Sequence, residues 1–324
     1  MNSLTKIIAP LEDQLRLFEQ EFKSSLSGHS MDYQPMIDYI ASLSGKRIRP
    51  ILLLLSANLC GISNGQSVNF AVILELVHTA TLIHDDVVDN TLERRGEKSV
   101  NAMFNNKMAV LLGDFVLSVA IKKGVIAKNH RLLEVMAEVS ESLSQGELVQ
   151  LISSRKHIVN EDRYFDIIQK KTALLIASCT ELGAVSVNAN QEEREALHLI
   201  GEKLGIIFQI KDDIFDYFEQ GEIGKPTGND IREGKVTLPL IYAFEHAPKE
   251  VAESMYKLLD AGDLDTEAVN TLIQFAKEYK GIEYAEAKMA EIKKETLQLM
   301  NMFPNSESKD KFIELIDYII ERKK

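Results

Sequence analysis

A chain of 324 residues that is 45% apolar can bury a sizeable core, and by length alone it could hold one large domain or two. Its net charge of −12 argues against a nucleic-acid-binding surface, which needs basic patches. Two cysteines, Cys60 and Cys179, lie in apolar contexts and read as buried thiols of a reducing compartment rather than a disulfide framework. The start of the chain, Met1 to Lys6, carries no signal-peptide pattern, and no apolar run reaches the roughly 18 residues of a membrane span. A cytoplasmic protein with at most peripheral membrane contact is expected.

The first element spans residues 3–27, where Ile7, Leu11, Leu15, Phe18 and Phe22 recur at helical spacing. A second helix is predicted over 35–43. Next comes Gly45-Lys46-Arg47-Ile48-Arg49-Pro50, a basic turn that leads into the apolar run Ile51 to Leu55. Three cations beside a glycine, ahead of a buried helix, could take phosphate oxygens, although a solvated basic turn would look the same. The run Phe70 to Val77 reads as a buried helix that continues into His84-Asp85-Asp86-Val87-Val88-Asp89. Asp85 and Asp89 then lie at i and i+4 on one face, with Asp86 turned partly aside. Stacked carboxylates repel, so the arrangement costs folding energy unless a cation neutralises it, and hard cations such as Mg²⁺ suit oxygen ligands.

Further along, Glu93-Arg94-Arg95-Gly96 adds a cationic step, and helices are predicted over 109–124, 131–153 and 161–185. The last of these carries Gln169-Lys170-Lys171-Thr172-Ala173. A second apolar run, Leu204 to Ile210, ends in Asp212-Asp213-Ile214-Phe215-Asp216, the same acid spacing. One such motif is as well explained by a solvated helix end; two, each closing an apolar helix, point to metal. If the two helices face each other, their carboxylates converge on ions that keep waters and hold substrate phosphates. The glycine-containing loop from Gly221 to Gly234 fails as a Walker loop, because Val236 stands where Ser or Thr is required. Residues 237–324 are further amphipathic helix. No alternating strand series appears. The prediction is an all-α protein: one domain over 1–324, a bundle of roughly ten or more helices with its chemistry in a central cavity.

Two acid clusters with Lys46, Arg49, Arg94, Arg95, Lys171, Lys225 and Lys235 match a diphosphate held through Mg²⁺ on one side and cations on the other. No nucleophile elbow or Cys/His pair accompanies them. A reaction needing no protein nucleophile, such as ionising a carbon–diphosphate bond, fits best. At this point the sequence resembles the trans-isoprenyl diphosphate synthases, or polyprenyl synthetases, and in particular their long-chain members. The resemblance runs from about Gly45 to Leu240. It rests on the basic turn, on both acid motifs, on Arg94-Arg95-Gly96, on Gly113-Asp114, on Lys171-Thr172, on Phe208-Gln209 and on Gly224-Lys225 through Lys235.

The resemblance implies an isoprenoid-synthase-like fold and a prenyltransferase. Asp85 and Asp89 would hold two Mg²⁺ ions and Asp212 a third, with Asp213 and Asp216 helping through water. Arg94, Lys171, Lys225 and Lys235 would hold the allylic diphosphate. Lys46, Arg49, His78 and Arg95 would hold isopentenyl diphosphate, with Phe208 and Gln209 nearby. Thr172 and Gln209 would face the reacting end of the allylic tail, and Lys170 and Lys211 would be supporting charges. A lone His in a helix, such as His78, is more often core or surface than ligand; only its place in the family pattern reverses that. Ionisation, condensation and proton loss follow, with the released diphosphate as base.

Product length is expected to depend on the path below the first motif. Val77, Ala80 and Thr81 lie one to two turns before Asp85, and none is aromatic. In the family a bulky residue there stops elongation early, so a heptaprenyl to nonaprenyl product is expected, octaprenyl diphosphate above all, built for quinone side chains on a farnesyl diphosphate primer. The floor is expected among Phe115, Val116 and Val119, with Leu148 as a further candidate. Alternatives are a geranylgeranyl or farnesyl diphosphate synthase, a terpene cyclase or head-to-head synthase, and a non-catalytic subunit of a heteromeric synthase. A cyclase would usually carry one such motif and no second diphosphate pocket; a non-catalytic subunit would be expected to lose motif acids. A homodimer is implied by the family alone.

Overall fold

The computed structural model describes residues 3–28, 31–43, 45–94, 96–218, 228–262 and 264–322. These residues are helical almost throughout. In chain order come α1 (Ser3–Ile8), α2 (Glu12–Leu26), α3 (Gln34–Ser42), α4 (Ile48–Cys60), α5 (Gly65–Val88), α6 (Val100–Phe104), α7 (Asn106–Ala127), α8 (His130–Arg155), α9 (Glu161–Ile168), α10 (Leu174–Ser186) and α11 (Gln191–Phe215). Then follow α12 (Asn229–Arg232), α13 (Leu238–His246), α14 (Lys249–Leu259), α15 (Thr266–Glu278), α16 (Gly281–Met300) and α17 (Glu307–Glu321). The all-α prediction holds; among the described residues the β structure is a hairpin of β1 (Glu93–Arg94) and β2 (Glu97–Lys98).

Three expectations need correction. The helix predicted over 3–27 is broken into α1, a 3₁₀ turn at Ala9–Leu11 and α2. Pro10 is the cause: its ring fixes φ and removes the donor that an unbroken helix would need. The stretch 161–185 is helical, but a π-helical segment, Gln169–Ala173, separates α9 from α10. Finally, α5 does reach a membrane-spanning length and composition, with a mean hydropathy of 1.3. Since 72% of that stretch is buried by the protein itself, it is a core helix.

The fold comprises two compact units. One takes Met1–Ser140, Ser178–His198 and Phe303–Phe312; the other takes Glu141–Ala177, Leu199–Met302 and Ile313–Lys324. In the first unit α5 is central and packs on α7, α4 and α2. Asn64 caps it, accepting from the Ser67 amide while the Ser67 hydroxyl accepts from the Asn64 amide. It buries Phe70, Val72, Ile73, Leu74 and Leu76 on all sides, each side chain contributing about 1.5–3 kcal/mol. At one end His84 of α5 meets Val110 and Gly113 of α7. At the other, Arg47 joins Glu75 of α5 to Glu19 of α2, and Glu21 of α2 meets Lys123 of α7. The two long helices therefore run antiparallel.

In the second unit α13 packs on α15 and α16, and Lys203 of α11 pairs with Glu295 of α16 at 2.5 Å. Gly205 of α11 lies so close to the π segment that a Cβ there would sit 2.4 Å from the Ala173 Cα.

Candidate active site

The first acid motif is the last turn of α5. Asp85 and Asp89 are half-buried, and the Asp89 amide donates to the Asp85 carbonyl at 2.8 Å, so the two stay one turn apart as predicted. Asp86 is different. It is buried, and its Oδ1 accepts from Arg94 Nε at 2.8 Å and Nη2 at 2.7 Å. Its carbonyl accepts from the Thr91 amide at 2.9 Å and from Asn101 Nδ2 at 3.3 Å. The middle acid thus fastens the hairpin that carries Arg94. Arg95 lies outside the described residues. The His84 ring donates to the Val110 carbonyl at 3.1 Å and sits 3.5 Å from Asp114. Gly113 makes this possible, because a Cβ there would come within 2.2 Å of the ring.

The basic turn is held by the residue the sequence argument passed over. Arg47 adopts a left-handed conformation, φ 51°. Its Nε donates to Glu19 at 2.7 Å and its Nη1 to buried Glu75 at 2.9 Å. The guanidinium also lies over the rings of Phe18 and Phe22, at 5.6 and 5.0 Å. With Arg47 fixed, Lys46 is exposed and Arg49 half-buried. Arg49 Nε is shut off from solvent without a hydrogen-bond partner among the described residues. A buried donor needs an acceptor, and a diphosphate oxygen would supply one. His78 is 9% exposed on α5. Burial pushes the Cys179 thiol up to about 12, with Glu75 adding to the shift and Arg49 opposing it. Cys60 is half-buried rather than buried as expected; partial burial, and then the charge of Glu193, push it up to about 12 as well. Neither is poised as a nucleophile.

In the second unit the predicted Lys171 and Thr172 fall inside the π segment, closed by the Leu174 amide donating to the Gln169 carbonyl. Such single-turn widenings recur at functional sites, since the extra residue re-aims the side chains around it. Thr172 Oγ1 donates to Gln209 Oε1 at 2.7 Å, and Gln209 Nε2 donates to Asp213 Oδ1 at 2.8 Å. Tyr164 donates to Asp213 Oδ2 at 2.6 Å. Lys171 is ion-paired with Glu147, and Lys170 with Asp166.

The second acid motif closes α11. Asp212 is 39% exposed, whereas Asp213 is buried with both oxygens engaged as above. Asp216 takes the amides of Asn229 and Asp230, each at 3.0 Å, so it pins the start of α12. Lys235 Nζ sits 2.5 Å from Glu233 and 3.9 Å from Asp230. Lys225 and most of its loop lie outside the described residues. Burial, and then the charge of Asp212, hold Asp213 above the ordinary carboxylate range against the pull of Tyr164 and Gln209. Burial raises Asp216 as well. Asp230 is raised by burial and by Asp213 and Asp216, with Lys235 opposing. Among the described residues no three His, Cys, Asp or Glu side chains form a ready-made metal cage. What the motif offers is a cluster of acids short of positive charge, a donor set that fits a hard cation completed by water or phosphate oxygens.

The chain-length candidates on α5 and α7 belong to the first unit, and Leu148 belongs to the second. Val77 and Ala80 are buried, and the Thr81 hydroxyl donates to the His78 carbonyl at 2.8 Å. On α7, Val116 and Val119 are buried; Phe115 is half-buried and meets Tyr33 edge-on, ring centroids 5.6 Å apart. The antiparallel course of α5 and α7 brings the two sets to the same level. Leu148, on α8, is 61% exposed.

Sequence reasoning missed Arg47, Tyr164, Glu147, Asp230 and Arg322. Arg47 and Asp230 lay within quoted motifs, Arg47 as the basic turn's third cation; the others have no local signal.

The profile of the polyprenyl synthetase family matches residues 31–276. The octaprenyl diphosphate synthase of Haemophilus influenzae is 33% identical over 285 residues, covering 88% of this chain and 86% of its own. Among solved structures, geranylgeranyl pyrophosphate synthase from Bacteroides thetaiotaomicron is 37% identical, with a TM-score of 0.86 over 99% of this chain and 100% of its own. A polyprenyl synthase from Caulobacter crescentus, complexed with calcium and isoprenyl diphosphate, is 28% identical, with a TM-score of 0.92 over 99% of this chain and 98% of its own.

Proposed function

Since the chain belongs to the polyprenyl synthetase family and is a trans-prenyl diphosphate synthase, we propose that it is a long-chain member, adding isopentenyl diphosphate repeatedly to farnesyl diphosphate. The observation that carries the reading is the repeated acid motif, each copy closing a long helix and each leaving part-exposed carboxylates, Asp85 with Asp89 and Asp212. These three would hold Mg²⁺, with Asp213 and Asp216 acting behind them. When bound, the metal supplies positive charge against a departing diphosphate.

The chain's own residues do the rest. Arg94, braced by Asp86, and Lys171, braced by Glu147, take outer oxygens of the allylic diphosphate, Arg by its fork and Lys as a point charge. Lys225 and Lys235 add to that side. Lys46, Arg49, His78 and Arg95 hold isopentenyl diphosphate, with Phe208 beside it. The carbon–oxygen bond of the allylic substrate breaks and its electron pair leaves with diphosphate. The double bond of isopentenyl diphosphate then forms the new carbon–carbon bond, and a proton is lost to the released diphosphate. Thr172 and Gln209, locked oxygen to amide, present fixed dipoles to the developing positive charge.

Small side chains at Ala80 and Thr81 favour a long product, and Phe115, Val116 and Val119 at the same level of α7 would form the floor. The similarity to a geranylgeranyl pyrophosphate synthase favours a second, shorter-chain reading. A homodimer is supported by exposed apolar residues along α7: Leu111, Ile121, Val125 and Ile126. Two free cysteines agree with a reducing cytoplasm, and a family match running through both units supports one catalytic domain. Incubation with farnesyl diphosphate, isopentenyl diphosphate and Mg²⁺, followed by mass analysis, tests the reading. A ladder ending at octaprenyl diphosphate is expected; a stop at geranylgeranyl diphosphate would select the shorter-chain alternative, and no elongation would refute both.

A further inference from the structure

Arg322 lies just beyond α17 and closes on the second acid motif. Its Nη2 donates to Asp212 Oδ1 at 2.6 Å and to the Phe208 carbonyl at 3.2 Å. Its Nε donates to the Ile319 carbonyl at 3.2 Å. The guanidinium lies 4.0 Å from the Phe208 ring centroid and 5.5 Å from that of Phe215. The side chain is only 9% exposed. A cation that has given up its water and rests on two aromatic faces and two carbonyls is a fixed part of the structure, not a surface charge. The carboxylate it grips is the one member of its motif that reaches solvent to 39%, while Asp213 and Asp216 are taken up by Tyr164, Gln209 and the start of α12.

We infer that Arg322 is a positioning residue for metal: by holding Oδ1, it orients the Asp212 carboxylate toward a divalent cation and sets the affinity of that site. The inference rests on the reading of Asp212 as a metal ligand. Ligating carboxylates are commonly held by a hydrogen-bonding partner behind them, and loss of such a partner costs about 10–100-fold in metal affinity. A guanidinium is suited to the task, because its planar fork can serve the carboxylate and a carbonyl together, which an ammonium on a flexible stem cannot do as well.

The test is the binding of Mn²⁺ to the whole protein in the presence of inorganic pyrophosphate, read by the electron paramagnetic resonance of free Mn²⁺. Arg322→Gln should weaken binding at one site by about tenfold or more, and Arg322→Lys by less. The Lys variant keeps the charge and most of the stem, so it remains informative should the Gln variant fold poorly. In an Asp212→Asn background, Arg322→Gln should have no further effect. Unchanged affinity in Arg322→Gln and Arg322→Lys, with Asp212→Asn weakened, would overturn the inference and leave the metal reading standing. Tighter binding would also overturn it, since Arg322 would then be a rival of the metal. Unchanged affinity in Asp212→Asn would sink the metal reading of Asp212 itself.

Discussion

Asp212 and Asp213 are neighbours in sequence with opposite circumstances: one reaches solvent, the other is buried and saturated with hydrogen bonds. The same division separates Asp85 from Asp86 at the first motif. The acid spacing itself was legible, because i and i+4 fix a common face. The division of labour within each motif was not, since it depends on which neighbours take up each acid: Arg94 reaches Asp86 from the hairpin that follows α5, Gln209 reaches Asp213 from one turn earlier on α11, and Tyr164 meets Asp213 from α9. At this scale Arg47 gives the sharpest stability prediction. Arg47→Ala strands Glu75 in the core and should cost about 3–5 kcal/mol in urea unfolding. Adding Glu75→Gln should recover part of that loss, because the uncompensated charge is then gone. A loss within about 0.5 kcal/mol would show that the turn is not held this way.

Among the elements, the π segment carries Lys171 and Thr172, the pair proposed to face the allylic substrate. The sequence located α7 and α8 closely from helical periodicity, whereas α5 stood out as a continuous apolar run and α11 only in its second half. Periodicity could not reveal the residue inserted at Gln169–Ala173, a segment that Gly205 approaches closely. Gly205→Ala pushes a methyl group against the Ala173 backbone, and backbone cannot swing aside as a side-chain tip can. It should cost about 1–3 kcal/mol in thermal or denaturant unfolding and lower kcat more than it raises KM, since Thr172 and Lys171 are displaced. Unaltered steady-state kinetics would separate the π segment from catalysis. On α5, Ala80→Phe should shorten the products toward farnesyl and geranylgeranyl diphosphate; unchanged lengths by mass analysis would reject this face as the product's path.

For the whole molecule, the second acid cluster links protons, metal and stability. Asp213, Asp216 and Asp230 bind protons more tightly when folded than in the unfolded chain, where the ordinary value is 3.8. Their contribution is therefore fully present below that ordinary value and is lost as pH rises through the raised folded values. With metal chelated, the melting temperature of this region should fall as pH climbs toward neutrality; Mg²⁺ should reverse the fall. A chelated protein whose stability rises across the same interval, with no response to Mg²⁺, would contradict the charge deficit. Fold class and enzyme family were readable because helix periodicity and ordered motifs are local signals. How each cation is held was not, because Glu147 reaches Lys171 from another helix, and Asp86 and Glu233, although near Arg94 and Lys235 in sequence, meet them only once the local backbone has turned back. The most direct test of two cooperating acid motifs is single-turnover release of pyrophosphate from farnesyl and isopentenyl diphosphates at saturating Mg²⁺. Asp85→Asn and Asp212→Asn should each slow release by about 10²–10³-fold. Release at the wild-type rate in either variant would contradict the account.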